Sequence, residues 1–308
     1  MILITLAGFW PYMATWLAFT LVIVLLSYLL ISARKKLIMQ LLLGAIICFL
    51  GYRIESFHGI LGIYEIPMVL QYGITIIFIS GFINAFNFID GIDGLAGGIA
   101  LMNSVVFALF FLYAGNDFFS LWALGLAGAC AAFLCYNINP ARIFMGDTGS
   151  TVIGLLLALM GIKLIQIGSI ESLPHLNNII VAIIGILILP IYDIFRTIFH
   201  RLMRKQSPFQ PDKTHIHHLL LKTRFNHIKS ASILYISNFF LILIAFSIKN
   251  YVSVFEAIII LLVSCFLLTE LLSIKKILNL SFDFSGLKKT ENTLTKTNQF
   301  INRNIQSK

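Results

Sequence analysis

Charge is what this chain has least of. Of its 308 residues, 11% are charged and 59% are hydrophobic, whereas a soluble domain carries about 25% charged residues. The mean hydropathy of +0.93 points the same way and identifies an integral membrane protein. Acids are rarer than bases, 13 against 22, and the first of them is Glu55. Cysteine is also sparse: Cys48, Cys130, Cys135 and Cys265 lie in apolar runs without metal-ligand spacing, which excludes a disulfide framework. The opening segment has no basic stretch and no small-residue cleavage site, so no cleavable secretory signal is expected. Neither an internal repeat nor a separate soluble domain is visible.

What is abundant is apolar runs. A helix needs roughly 20 apolar residues to cross a bilayer, and nine runs qualify: 10–32, 36–53, 66–84, 97–114, 120–138, 148–168, 177–196, 231–249 and 253–274. The expected fold is all-α and polytopic, with one membrane-embedded domain over 1–275 and a polar, disordered tail over 276–308. Basic residues are placed unevenly. Arg34, Lys35 and Lys36, then Arg142, then Arg196 to Lys229, then Lys275 and Lys276 fall on one side if the spans alternate. Arg53, Lys163 and Lys249 fall on the other. Positive charge marks the cytoplasmic side, so the N-terminus is expected outside and the C-terminus inside. The net charge of +9 is then a topology signal; bases spread along membrane flanks do not make a nucleic-acid surface.

Three polar segments share that cytoplasmic side. The first, 84–98, holds Asn87, Asp90 and Asp93 among glycines. If it is helical, the two acids three positions apart share a face, and Gly91 and Gly94 let backbone amides approach a bulky anion. A capping pair or a transporter ion site are the alternatives; the oxygen spacing of a calcium loop is missing. The second segment, 137–150, brings Arg142 and Phe144 before Asp147. It suits a metal-bound phosphate ester that bears a base, while an aspartate that merely caps the following helix is the alternative. The third, 207–219, packs His215, His217 and His218 into a basic loop bracketed by prolines. Phosphate or pyrophosphate binding by imidazole and lysine is preferred to zinc, for which no cysteine or suitable carboxylate spacing is present. Asp193 and Arg196 are expected to form an ion pair on the seventh span. A channel or transporter calls for ionisable groups in midspan, and only Lys163, Asp193, Glu256 and Glu270 come near that, scattered.

Asn84-Ala-Phe-Asn87-Phe-Ile-Asp90-Gly-Ile-Asp93-Gly-Leu, Phe144-Met-Gly-Asp147-Thr-Gly-Ser and His215-Ile-His217-His218-Leu resemble three motifs of one family. It is the polyprenyl-phosphate N-acetylhexosamine-1-phosphate transferases, and the likeness runs from about residue 35 to about 275. The resemblance implies an inner-membrane enzyme that moves N-acetylhexosamine-1-phosphate from a UDP-sugar to undecaprenyl phosphate, releasing UMP and initiating a surface polysaccharide or glycolipid. It implies magnesium held by Asp147 and Asn87, with Asp90 and Asp93 as catalytic acids, Asp93 close to the nucleotide. Phe144 would stack on uracil, and Arg142, His215, His217 and His218 would bind substrate. The bilayer is the implied environment, and a homodimer is compatible with it.

One departure stands out. Members of the family carry an adjacent aspartate pair before the segment that here contains Arg34, Lys35 and Lys36. The corresponding stretch reads Leu25-Leu26-Ser27-Tyr28-Leu29. The first two helices of the family are accordingly expected to be lacking. Three explanations compete: a gene truncated or frame-disrupted near its start, a degenerate homologue that binds nucleotide-sugar without turnover, or another carboxylate, Asp90 or Asp193, that substitutes for the pair.

Overall fold

The computed structural model describes residues 33–281, apart from 61, 139, 169–177, 206–214 and 223–224. The expected first span, the 25–29 stretch, the prolines and Lys213 of the histidine loop, and most of the polar tail lie outside the described residues. The described order is α1 (Ala33–Phe49), β1 (Ser56–Ile60), β2 (Ile63–Glu65), α2 (Met68–Ile89), α3 (Leu95–Tyr113), α4 (Asp117–Asn137), α5 (Gly146–Gly168), α6 (Ile179–Met203), α7 (Ile216–Lys222), α8 (His227–Ile248) and α9 (Val254–Ser281).

The chain is a multi-pass, helical membrane protein. Among the described residues six helices, α2 to α6 and α8, are long and apolar enough to cross a bilayer. The expected spans over 36–53 and 253–274 appear as the 17-residue α1 and as α9, whose apolar part ends at Leu268. Between α1 and α2 the chain forms an antiparallel hairpin, Ser56 opposite Glu65 and Ile60 opposite Ile63, with Gly62 in the left-handed region (φ 77°) that such a tight turn needs. Its strands are too short for an alternating pattern to stand out in the sequence.

Burial sorts the helices into layers. Two thirds of the apolar window of α5 and of α6 is buried inside the protein, against 28% for α4, so α5 and α6 form the centre and α4 faces outward. α1, α2 and α5 meet through Ile47, Ile79, Ile83, Leu155, Leu159 and Ile162. Gly154 permits this approach, since a Cβ there would press on the backbone of Ile83 at 3.1 Å. Close contact through small residues is how helices associate where lipid removes the hydrophobic drive between them.

Candidate active site

Antiparallel packing brings one end of every helix pair to a common face. There the start of α1, the end of α2, the α2–α3 turn, the α4–α5 loop, and the starts of α7 and α8 touch. Asn84 Nδ2 donates to Gln40 Oε1 at 2.7 Å, tying α2 to α1. One turn on, Asn87 Nδ2 donates to Ser150 Oγ at 2.6 Å and to Asp147 Oδ1 at 3.3 Å, tying α2 to α5. The other Asp147 oxygen accepts from Lys36 of α1. Asp147 therefore does not act as a helix cap: its carboxylate faces Lys36 and Asn87, and its side chain remains 60% exposed.

Asp90 follows the last turn of α2, and the chain turns rather than continuing as helix through 91–94. The two acids of the first segment consequently part, contrary to the shared helical face. Asp90 lies within electrostatic reach of Asp147; burial first, and that neighbouring negative charge second, push its carboxyl up to about 6. Asp93 turns the other way. Its Oδ2 accepts from the Ala141 amide at 3.4 Å and lies 3.3 Å from Nδ1 of His227, at the start of α8.

The glycines of this turn do something other than expose amides to an anion. The Gly91 N–H donates to Ile89 O at 2.8 Å, and the Gly94 N–H donates to Asn137 Oδ1 at 2.8 Å. Gly94 sits at φ 80°, and its carbonyl accepts from the Tyr235 hydroxyl at 2.5 Å. Gly91 is where the histidine segment docks: a Cβ there would collide with Nε2 of His217.

The histidines are held from below by α6. Asp193, 2% exposed, accepts from His215 Nδ1 at 2.8 Å and from the Ile216 amide at 2.8 Å. Asp193 thus does more than its spacing to Arg196 suggested: it anchors the histidine segment to α6. Phe88 of α2 stacks on His215 with ring centroids 5.1 Å apart, His217 stacks on His215 at 5.9 Å, and His218 lies 4.2 Å beyond His217. His217 is 2% exposed, with neither ring nitrogen hydrogen-bonded. Burial chiefly, and the adjoining His218, push its imidazole down to about 4, so the ring is neutral near pH 7.

Arg142 and Phe144 sit on the α4–α5 loop, both exposed, Phe144 at 78%. Asn137 shapes that loop, since its Nδ2 donates to Ile143 O at 2.8 Å while its Oδ1 holds Gly94. Asn87, Asp90 and Asp147 are thus brought together, Gly91 joins them to the histidines, and Asp93 stands beside the loop that carries Arg142 and Phe144. Lys36 and His227 were not foreseen as members. Lys36 looked like one base in a membrane flank, and nothing local distinguishes it from Lys35. His227 opens a helix as an isolated histidine.

A polytopic helical membrane protein with an acidic, asparagine-bearing face and a docked histidine segment is the class that this fold and site define. Residues 6–165 match the model of glycosyl transferase family 4, and the chain belongs to that family. It is 32% identical over 71% of its length to a probable undecaprenyl-phosphate N-acetylglucosaminyl 1-phosphate transferase of Bacillus subtilis (strain 168), covering 60% of that protein. It is 31% identical over 58% of its length to the decaprenyl-phosphate N-acetylglucosaminephosphotransferase of Mycolicibacterium smegmatis, covering 47% of it. It is 28% identical over 63% of its length to the undecaprenyl-phosphate alpha-N-acetylglucosaminyl 1-phosphate transferase of Escherichia coli O157:H7, covering 51%. The chain spans roughly half to three fifths of the length of these relatives.

Proposed function

We propose that this protein transfers N-acetylhexosamine-1-phosphate from a UDP-sugar to undecaprenyl phosphate, as a step initiating a cell-surface polysaccharide or glycolipid. The observation that carries the proposal is the meeting of Asn87, Asp90 and Asp147 with the Gly91–His217 contact on one face of the bundle. In the reaction an oxygen of the lipid phosphate attacks the sugar-proximal phosphorus. The bond from that phosphorus to the oxygen bridging it to the uridylate breaks, and UMP leaves with the electron pair.

The donor set fits magnesium. Among the described residues no three His, Cys, Asp or Glu side chains gather into an all-protein metal cage. Magnesium does not need one, since it binds through one or two carboxylates and completes its shell with water and substrate phosphate. Asp147 would hold it, with the carbonyl oxygen of Asn87 after its amide turns, and Asp90 beside them. When bound, magnesium offsets the charge that develops on the leaving phosphate. Lys36 already supplies a positive charge to Asp147, and exposed Phe144 would offer a ring face to uracil on the loop that also carries exposed Arg142. His217, buried against Gly91, would bring neutral ring nitrogens to the diphosphate or sugar where substrate displaces that contact, adding no charge of its own.

The active face is assigned to the cytoplasm because Lys36, Arg142, Arg196, Arg201 and Arg204 lie towards it, whereas Arg53 and Lys249 lie at the opposite helix ends. There a soluble nucleotide-sugar meets a lipid phosphate whose prenyl chain stays in the inner membrane. The test is to give the purified protein UDP-N-acetylglucosamine, magnesium and undecaprenyl phosphate. Release of UMP with a labelled lipid product is expected. Binding of UDP-sugar without UMP release would instead make the chain a nucleotide-sugar binder, the outcome that the acid-free 25–29 stretch favours. No binding at all would end both.

A further inference from the structure

Helix α6 continues through Pro190. Proline has no N–H, so the carbonyl four residues earlier, that of Ile186, loses its helical donor. In hydrocarbon such a carbonyl must find another partner, and neighbouring helices are where membrane proteins find one. Here the partner is Asn103 of α3, whose Nδ2 donates to Ile186 O at 2.9 Å. Asn103 is itself held: Asn238 of α8 donates from Nδ2 to Asn103 Oδ1 at 2.9 Å and reaches Met102 Sδ at 3.3 Å. Both asparagines are fully buried (0% exposed) within apolar helices, a place where polar side chains rarely sit without a purpose.

The location gives the purpose. Three residues beyond Pro190 stands Asp193, whose carboxylate holds His215 and the Ile216 amide. Asn103 lies two and a half turns along α3 from the turn that holds Asp90, Gly91 and Asp93. The asparagine pair therefore joins the helix that follows the aspartates to the helix that anchors the histidines, at the carbonyl that Pro190 leaves without its helical donor.

We propose that Asn103 and Asn238 are positioning residues: they close the backbone gap made by Pro190 and so set where Asp193 holds the His215–His218 segment against Gly91. This deepens the transferase reading, on which it rests for what the histidines do, but its test does not use turnover. The full chain, purified in detergent, is labelled with diethyl pyrocarbonate, and each histidine is followed by peptide mass spectrometry. Asn103→Leu is expected to raise labelling of His215 and His217 by a factor of about three to twenty, the range commanded by interhelical hydrogen bonds in membrane proteins. His227, on α8, should not change. Adding Pro190→Ala returns an N–H to the Ile186 carbonyl and is expected to bring labelling back towards that of the unmodified chain. An equal rise at every histidine, a lower melting temperature with unchanged labelling, or a double variant no better than the single one would overturn the proposal. Should Asn103→Leu fail to insert, Asn238→Ala leaves Asn103 in place but unheld, and a smaller rise at the same two histidines is expected; none would overturn it. Failure of the unmodified protein to release UMP would remove the transferase function and leave this labelling pattern to decide the positioning role by itself.

Discussion

Asp147 and Asp193 are both aspartates on this face of the bundle, each beside a basic side chain, yet their surroundings are opposite. Asp147 is 60% exposed and pairs with a lysine that is itself partly in solvent. Asp193 is 3% exposed and pairs with a histidine 6% exposed, while its second oxygen takes a backbone amide. Each oxygen of both carboxylates is bonded to the protein, but those of Asp147 stay within reach of solvent and those of Asp193 do not. Asp147 is accordingly accessible from solvent, and Asp193 is a buried anchor for the histidine segment. Asp193 is shut away from solvent whereas Asp90 lies beside the open Asp147, so of these two acids Asp90 is the one placed next to an accessible carboxylate.

The contrast can be broken by experiment. The largest effect is expected from Asp193→Ala, which leaves His215 and the Ile216 amide buried without their acceptor. A loss of about 3–5 kcal/mol, the usual result of removing one partner of a buried pair, should appear as a steep fall in thermal midpoint. A change below about 1 kcal/mol would mean that Asp193 is not the closed partner.

Asp147→Asn should do the reverse. UMP release should drop on the order of a hundredfold or more, as when a group that stabilises transition-state charge is removed, while expression and thermal midpoint stay near those of the unmodified chain. Undiminished turnover would take Asp147 out of the metal role.

Between these two stands the Gly91–His217 contact. Gly91→Ala puts a methyl group into the His217 ring, and overpacking of this kind costs about 1–3 kcal/mol. Combining it with His217→Ala should restore the thermal midpoint, because the added carbon then has room. A combined variant no more stable than Gly91→Ala alone would show that the two residues are not in contact.

The smallest effect is a pH dependence. His217 is held at about 4 when folded, whereas a free imidazole titrates near 6.5. Between those two values the unfolded chain takes up a proton that the folded chain does not, so stability falls as pH drops from 6.5 towards 4 and this contribution is fully present above 6.5. The loss at pH 4 is on the order of 1–3 kcal/mol. His217→Gln should flatten the slope of thermal midpoint over that window; an unaltered slope would place the ring in water.

Much of this was legible in the chain. Apolar runs gave the membrane class and the approximate course of α2 to α6 and α8, because a bilayer admits few alternatives to a helix. The three polar segments stood out, since aspartate and histidine beside lipid demand an explanation. Other features left weaker marks. Asn103 and Asn238 are single polar residues in long apolar spans, and Pro190 marked a carbonyl in need of a donor, but only their adjacency reveals that one answers the other. The Asp90–Asp93 spacing fitted a helical face until the chain turned at Gly91.

Composition and motif order, then, determined by themselves that this is a many-helix membrane protein whose acids and histidines concentrate in a few polar segments, because burial in lipid and the scarcity of charge act on residue types wherever they occur. Which carboxylate is open and which closed, that Lys36 rather than Lys35 reaches Asp147, and that Gly91 receives a histidine ring were decided only by the tertiary structure. Those outcomes depend on distances of a few ångströms between residues far apart along the chain, and local sequence holds no record of such distances.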